Sequence, residues 1–225
     1  MIIQNYLKPK VINGSIIKVL FNDLHQIKKF KNVLLVRTPT TGPWIDNILT
    51  NNENVNIVMI MYNVLPVEHE KNQLYVYLDH NEIDNYLKNL NLKFDGICLD
   101  TFHEYHESIN DLKILTSYLS EDGVILSHDC YPYRKRYATP KFQPGYWSGV
   151  TYICFIEVAM NNPDLFYAII KNDNGIGIIS KQEIPNLTKP NNYNIDKQTK
   201  LISLKESVDA YDYFQNNRDL IYIIS

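Results

Sequence analysis

Asp100-Thr-Phe-His103 and His128-Asp129 each close a short apolar run, and together they supply two carboxylates and two imidazoles. Such a set can hold a divalent ion, or it can poise a histidine to take a proton from a hydroxyl. Asp100, His128 and Asp129 are the expected ion ligands, and His103, His128 and Asp129 the expected catalytic groups. The plainer alternative is that His128 caps a strand and Asp129 starts the next turn. His103-Glu-Tyr-His-Glu107 places two histidines three apart, whereas a zincin helix needs them four apart, so that motif is excluded.

These residues converge only if parallel strands deliver them to one rim. Asn32–Arg37, Asn56–Met61, Gln73–Leu78, Phe94–Asp100 and Val124–Ser127 are short, apolar and rich in β-branched residues. They alternate with helical stretches: one from Pro43 through Trp44 to Leu49, then Glu82–Leu90 and Ser108–Leu119. That alternation predicts a doubly wound, mostly parallel α/β sheet. Phe166–Lys171 and Gly175–Ser180 around Asn172-Asp-Asn174 predict a terminal antiparallel hairpin. Residues 1–30 read as a helical extension with a helix near Asp23–Phe30, 31–184 as the α/β domain, and 185–225 as a polar loop and a closing helix near Ser207–Ile221. In open parallel sheets ligands bind beyond the carboxyl ends of strands, where strand order reverses. With β-strands about 5 Å apart, adjacent fourth and fifth strands bring Asp100, His128 and Asp129 together, with His103 on the loop above.

The 225 residues are 45% hydrophobic with net charge −3, which supplies a core and no general pull on nucleic acid. No apolar run reaches the ~18 residues of a membrane span, and the start at Met1–Lys10 lacks the order of a signal peptide. Cys98, Cys130 and Cys154 are odd in number and scattered, which argues against a disulfide framework and predicts a cytoplasmic protein. Only 8 glycines occur, so a glycine-rich loop is short of material. Tyr131, Tyr133, Tyr137, Tyr146 and Trp147 share a segment with Arg134, Lys135 and Arg136, a composition suited to a lid that stacks on a sugar or grips phosphate, or to self-association into a homo-oligomer.

Phe94-Asp-Gly-Ile-Cys-Leu-Asp-Thr-Phe-His-Glu-Tyr105, Asp111-Leu112 and Leu119-Ser-Glu-Asp-Gly-Val-Ile-Leu-Ser-His-Asp-Cys-Tyr-Pro132 resemble one family. It is the class I S-adenosylmethionine-dependent methyltransferases of the small "methyltransferase 24" type, linked to glycan modification. The likeness continues through Trp147-Ser-Gly149, Asp173–Ile179 and Tyr213–Arg218 and covers about residues 90–225. It implies a Rossmann-like methyltransferase fold, S-adenosylmethionine as cofactor and a sugar, nucleotide-sugar or glycan hydroxyl as acceptor.

The resemblance further implies a cofactor site at Arg37, Gly42, Asn63, Asp79 and Asp100, and the chain departs from the family pattern there. The turn after the first strand, Arg37-Thr-Pro-Thr-Thr-Gly42, has one glycine. Asn63 stands where the family has a ribose-binding acid, while Asp79 keeps the acid after the third strand. Trp147-Ser-Gly-Val-Thr-Tyr-Ile153 lacks the Asp and Lys of the family's W-x-G-D-V-W-K. The first expectation is O-methylation with His103 or His128 as base, assisted or not by a divalent cation. The alternatives are a metal- or His/Asp-dependent enzyme that uses no methyl donor, in which Arg37 clamps a phosphate or carboxylate, and a catalytically silent relative.

Overall fold

The computed structural model describes residues 16–39, 45, 46, 48, 49, 54–63, 74–217 and 219–225. Helix α1 (Ile16–Lys28) is followed by β1 (Asn32–Arg37), β2 (Asn56–Tyr62) and β3 (Leu74–Leu78). Then come α2 (Ile83–Leu90), β4 (Phe94–Asp100), α3 (Tyr105–Ser117), β5 (Leu119–Ser127) and α4 (Thr151–Asn161). The last part holds β6 (Phe166–Ile170), β7 (Ile176–Ser180), β8 (Lys189–Pro190), α5 (Ile195–Ser203), α6 (Asp209–Asn216) and β9 (Ile223–Ile224).

The strands form one sheet in the order β3-β2-β1-β4-β5-β7-β6-β8, with β9 also paired to β6. From β3 to β5 every pairing is parallel, whereas β7 joins β5 and β6 antiparallel. The chain starts at β1, runs outward to β3 and returns to β4 on the other side of β1. The rim between β1 and β4 is therefore the topological switch point.

Continuous apolar strands are stable here because both faces are covered. Leu34, Val36, Val58 and Ile60 point to a core shared with α2, α3 and α4. Their neighbours Val33, Leu35, Ile57 and Met59 point to a second core shared with α1 and with Ile45, Ile48 and Leu49. In α1 the apolar stripe is Ile17, Leu20, Phe21 and Leu24, a helical spacing that puts all four against the sheet.

Several elements depart from their expected extents. Helix α1 begins seven residues before the expected Asp23, and β5 begins at Leu119, its polar Glu121-Asp122-Gly123 passing through a register shift against β4. The polar stretch expected as a loop contains α5, started by the Asn194 side chain accepting from the Lys197 N–H at 3.1 Å. The closing helix is α6, shorter than expected. Of the helix expected from Pro43 and Trp44, those two residues lie outside the described ones.

Candidate active site

Parallel pairing puts Leu99 opposite Ser127, so β4 and β5 end side by side, and the His128 N–H donates to the Leu99 carbonyl at 3.0 Å. The next residue leaves the sheet in the left-handed region: Asp129 has φ 59°. That region is tolerated by Asp and Asn better than by other side chains, and it turns the Asp129 carboxylate toward Asp100 rather than along the strand. The β6–β7 turn holds this exit in place. Cys130 donates its N–H to the Gly175 carbonyl and Tyr131 to the Asn174 carbonyl. Gly175 has φ 93°, and a Cβ there would lie 2.0 Å from the Tyr131 nitrogen.

His103 is set by a similar close approach. The Val150 N–H donates to its carbonyl at 2.9 Å, and a Cβ on Gly149 (φ 55°) would meet that carbonyl oxygen at 2.1 Å. The His103 Nδ1 lies 3.3 Å from the Thr151 hydroxyl, which itself donates to the Ser148 carbonyl. The contact with Thr151 fixes the ring plane and turns its other nitrogen, Nε2, toward the acids. That Nε2 is 3.2 Å from Asp129 Oδ2 and 3.8 Å from Asp100 Oδ1.

Three polar side-chain atoms meet in one small volume: Asp100, His103 and Asp129 each offer one within 4.8 Å of the others. Asp100 Oδ1 and Asp129 Oδ1 are buried without a hydrogen-bond partner. Such a group is stable only with a proton, a cation or a substrate hydroxyl between its members.

His128 behaves differently. Its Nδ1 lies 3.6 Å from Asp100 Oδ2 and 3.3 Å from Asp129 Oδ2, and its Nε2 lies 3.6 Å from Asp173 Oδ1. Burial favours the neutral ring, but Asp129 and Asp100 outweigh it and raise the pKa well above the usual 6.5. Burial likewise opposes the Asp129 charge, and the two imidazoles overcome it and lower that pKa. Among the described residues the acids and imidazole within metal-binding reach of one another are Asp100, His103 and Asp129, so His103 stands beside the two acids where the sequence leads one to expect His128, and His128 sits between Asp100, Asp129 and Asp173.

The cleft above these residues has a volume of about 820 Å³. Its other half lies at the ends of β1, β2 and β3, lined by Thr38, Asn63 and His80, with Phe102 from the end of β4. Asn63 leaves β2 with φ 54°. Asp111, fully buried in α3, accepts from the Tyr62 hydroxyl at 2.9 Å and pairs with His80 Nε2 at 2.9 Å. Burial pushes the His80 pKa down, but its bond to Asp111 and the Asp111 and Glu107 charges raise it overall. Phe102 stacks on Tyr62 at 6.1 Å and meets His80 edge-on at 5.6 Å. Asp111 stands in the family-like Asp111-Leu112 of the sequence, but its pairing with Tyr62 and His80 is not visible there, because the three come from separate elements.

Two expected cofactor residues are used otherwise. Arg37 makes a bidentate pair with Asp46 at 2.6 and 2.9 Å and does not line the cleft, so it is no free clamp for phosphate or carboxylate. Asp79 also stays out of the lining, its N–H donating to the Glu82 carboxylate at 2.9 Å, and the adjacent His80 faces the cleft instead. Gly42 lies outside the described residues. Asp173, which reads as a turn residue, is the functional candidate that sequence spacing does not reveal.

The fold is shared with solved structures of methyltransferases. Solved structures with this fold include the Podospora anserina methyltransferase PaMTH1 bound to SAH, 16% identical over 76% of this chain and 80% of that one, TM-score 0.53. An O-methyltransferase from Bacillus cereus in complex with SAH is 12% identical over 78% and 83% of the two chains, TM-score 0.52. MycE of the mycinamycin pathway, in complex with Mg, SAH and mycinamycin VI, is 12% identical over 81% of this chain and 55% of its own, TM-score 0.52. No family model matches the sequence, and no curated protein matches it. No helix among the described residues is long and apolar enough to cross a membrane.

Proposed function

We propose that this chain is an S-adenosylmethionine-dependent O-methyltransferase acting on a sugar or glycan hydroxyl. The observation that carries it is the meeting of Asp100, His103 and Asp129 in the switch-point cleft, in a fold whose solved neighbours hold SAH. The cofactor residues are Thr38, Asn63 and Asp100, with His80 and Phe102 against the base. Asn63 replaces an acid there and offers a neutral hydrogen bond to a ribose hydroxyl.

S-adenosylmethionine, when bound, supplies a methyl group that is already electrophilic. The protein has two remaining tasks: to align the acceptor oxygen and to remove its proton. His103 Nε2 takes that proton, and the Asp129 carboxylate stabilises the resulting imidazolium. His128, already cationic between three carboxylates, keeps Asp100 and Asp129 ionised and in place. The products are the methyl ether, S-adenosylhomocysteine and a proton that returns to solvent through His103.

A cation-assisted version is favoured by the two orphaned carboxylate oxygens. Asp100, His103 and Asp129 would hold a divalent ion, with the His103 Nδ1 contact to Thr151 fixing the ring as such ligands require. The ion would lower the pKa of a bound hydroxyl. Calorimetry with SAH tests the main proposal: saturable binding supports it, and absence of binding overturns it. Transfer assayed after EDTA dialysis and again with added Mg2+ separates the versions, since only the cation-assisted one loses and regains activity.

A further inference from the structure

We infer that the acceptor half of the cleft selects an uncharged glycosyl unit, free of phosphate and carboxylate, so that nucleotide-sugars are excluded. This rests on the methyltransferase reading above, in its cation-free version, and adds the class of acceptor to it. The lining includes five carboxylates, Asp100, Glu104, Glu107, Asp129 and Asp173, and no lysine or arginine among the described residues.

Three of the basic residues that could serve an anion are engaged elsewhere. Arg37 is bound to Asp46, Lys135 to Asp212 at 2.5 Å, and the Arg136 guanidinium lies on the Tyr137 ring and bonds its hydroxyl. The basic residues that suggest a phosphate grip in the sequence therefore do not reach the cleft. Three carboxylates already surround the His128 ring. Among the described residues, a phosphate or uronate entering this cleft gives up water and meets carboxylates with no lysine or arginine to replace it.

The same surfaces suit a neutral sugar. Phe142 and Tyr146 are 63% and 51% exposed at the mouth, and both line the cleft beside Trp147. Trp147 is held by its Nε1–H donating to the Thr139 carbonyl at 2.9 Å, with its ring 5.6 Å from His103. An aromatic face covers the C–H side of a sugar ring, and carboxylates accept from its hydroxyls. The orphaned Asp100 Oδ1 and Asp129 Oδ1 are two such acceptors below that rim.

The chain contains two tryptophans, so a Trp44→Phe variant leaves Trp147 as the sole indole and its fluorescence as a reporter. SAH-saturated protein is titrated with methyl glucoside, galactoside, mannoside and rhamnoside, then with glucose 6-phosphate, glucuronate and UDP-glucose. At least one neutral glycoside is expected to saturate the signal below about 50 mM, with the anionic probes binding at least ~10-fold more weakly. In a Glu104→Gln/Glu107→Gln variant that gap is expected to narrow by ~3-fold or more. An anionic probe binding as tightly as its neutral partner, no glycoside saturating, or an unchanged gap in the double variant each overturns the inference. SAH binding, measured first, keeps the two failures apart: its absence removes the methyltransferase reading, and its presence with anion preference removes only the acceptor class.

Discussion

The two halves of the cleft hold their buried acids differently. At the ends of β2 and β3, Asp111 is gripped through one oxygen by both the Tyr62 hydroxyl and His80, and only its Oδ2 is left without a partner. At the ends of β4 and β5, Asp100 and Asp129 each leave an oxygen without a partner in the same small volume beside His103. A hydrogen-bonded network fixes shape, and a cluster of unpartnered acceptors calls for a ligand or a proton.

The sharpest way to break this contrast is Asp129→Asn. Asn accepts the left-handed backbone and keeps the shape, so only the charge beside His103 is lost. Methyl transfer is expected to fall by about 10²–10³-fold while SAH affinity stays within ~3-fold, as read by steady-state kinetics and calorimetry. An equal loss in both would merge the two halves into one unit.

Gly149→Ala acts on position rather than charge. Its Cβ would lie 2.1 Å from the His103 carbonyl oxygen at a positive φ, so the loop must move. A destabilisation of about 2–3 kcal/mol is expected in urea unfolding, together with lost activity. Tyr62→Phe tests the other half. It removes one of the two partners of the buried Asp111, at a cost of about 1–2 kcal/mol, and is expected to weaken SAH binding more than it slows transfer.

The smallest effect is a pH dependence. Folding raises the His80 pKa above 6.5, so the native state binds the proton more tightly than the unfolded chain. The stabilisation is fully present below pH 6.5 and disappears as pH rises through the folded value. The stability difference between the wild type and His80→Gln is expected to be larger at pH 5.5 than at pH 8.5, as read from urea midpoints. A difference growing with pH would show that His80 is held neutral.

The fold was legible where physics is local. Strands buried on both faces need unbroken apolar runs, and β1, β2 and β4 have them. Asp100, His103, His128 and Asp129 were legible because a parallel sheet brings strand ends together whatever lies between. Helix α5 was not, because it has only Leu201 and Gln198 buried among polar neighbours, and its clearest signal is the Asn194 cap. The different surroundings of the two histidines were also hidden. They depend on Asp173 and Thr151, which reach the site from a hairpin turn and from α4. That His80 lines the cleft and Arg37 does not was hidden for the same reason: Asp111 pairs with one and Asp46 with the other.

The backbone at position 129 also restricts how this site can drift or be redesigned. A left-handed residue wedged between a strand end and a pinned hairpin admits aspartate, asparagine or glycine, and little else, without distorting both neighbours. Any new chemistry installed there would have to arrive through position 100 or 103, leaving 129 as the fixed point around which variants are searched.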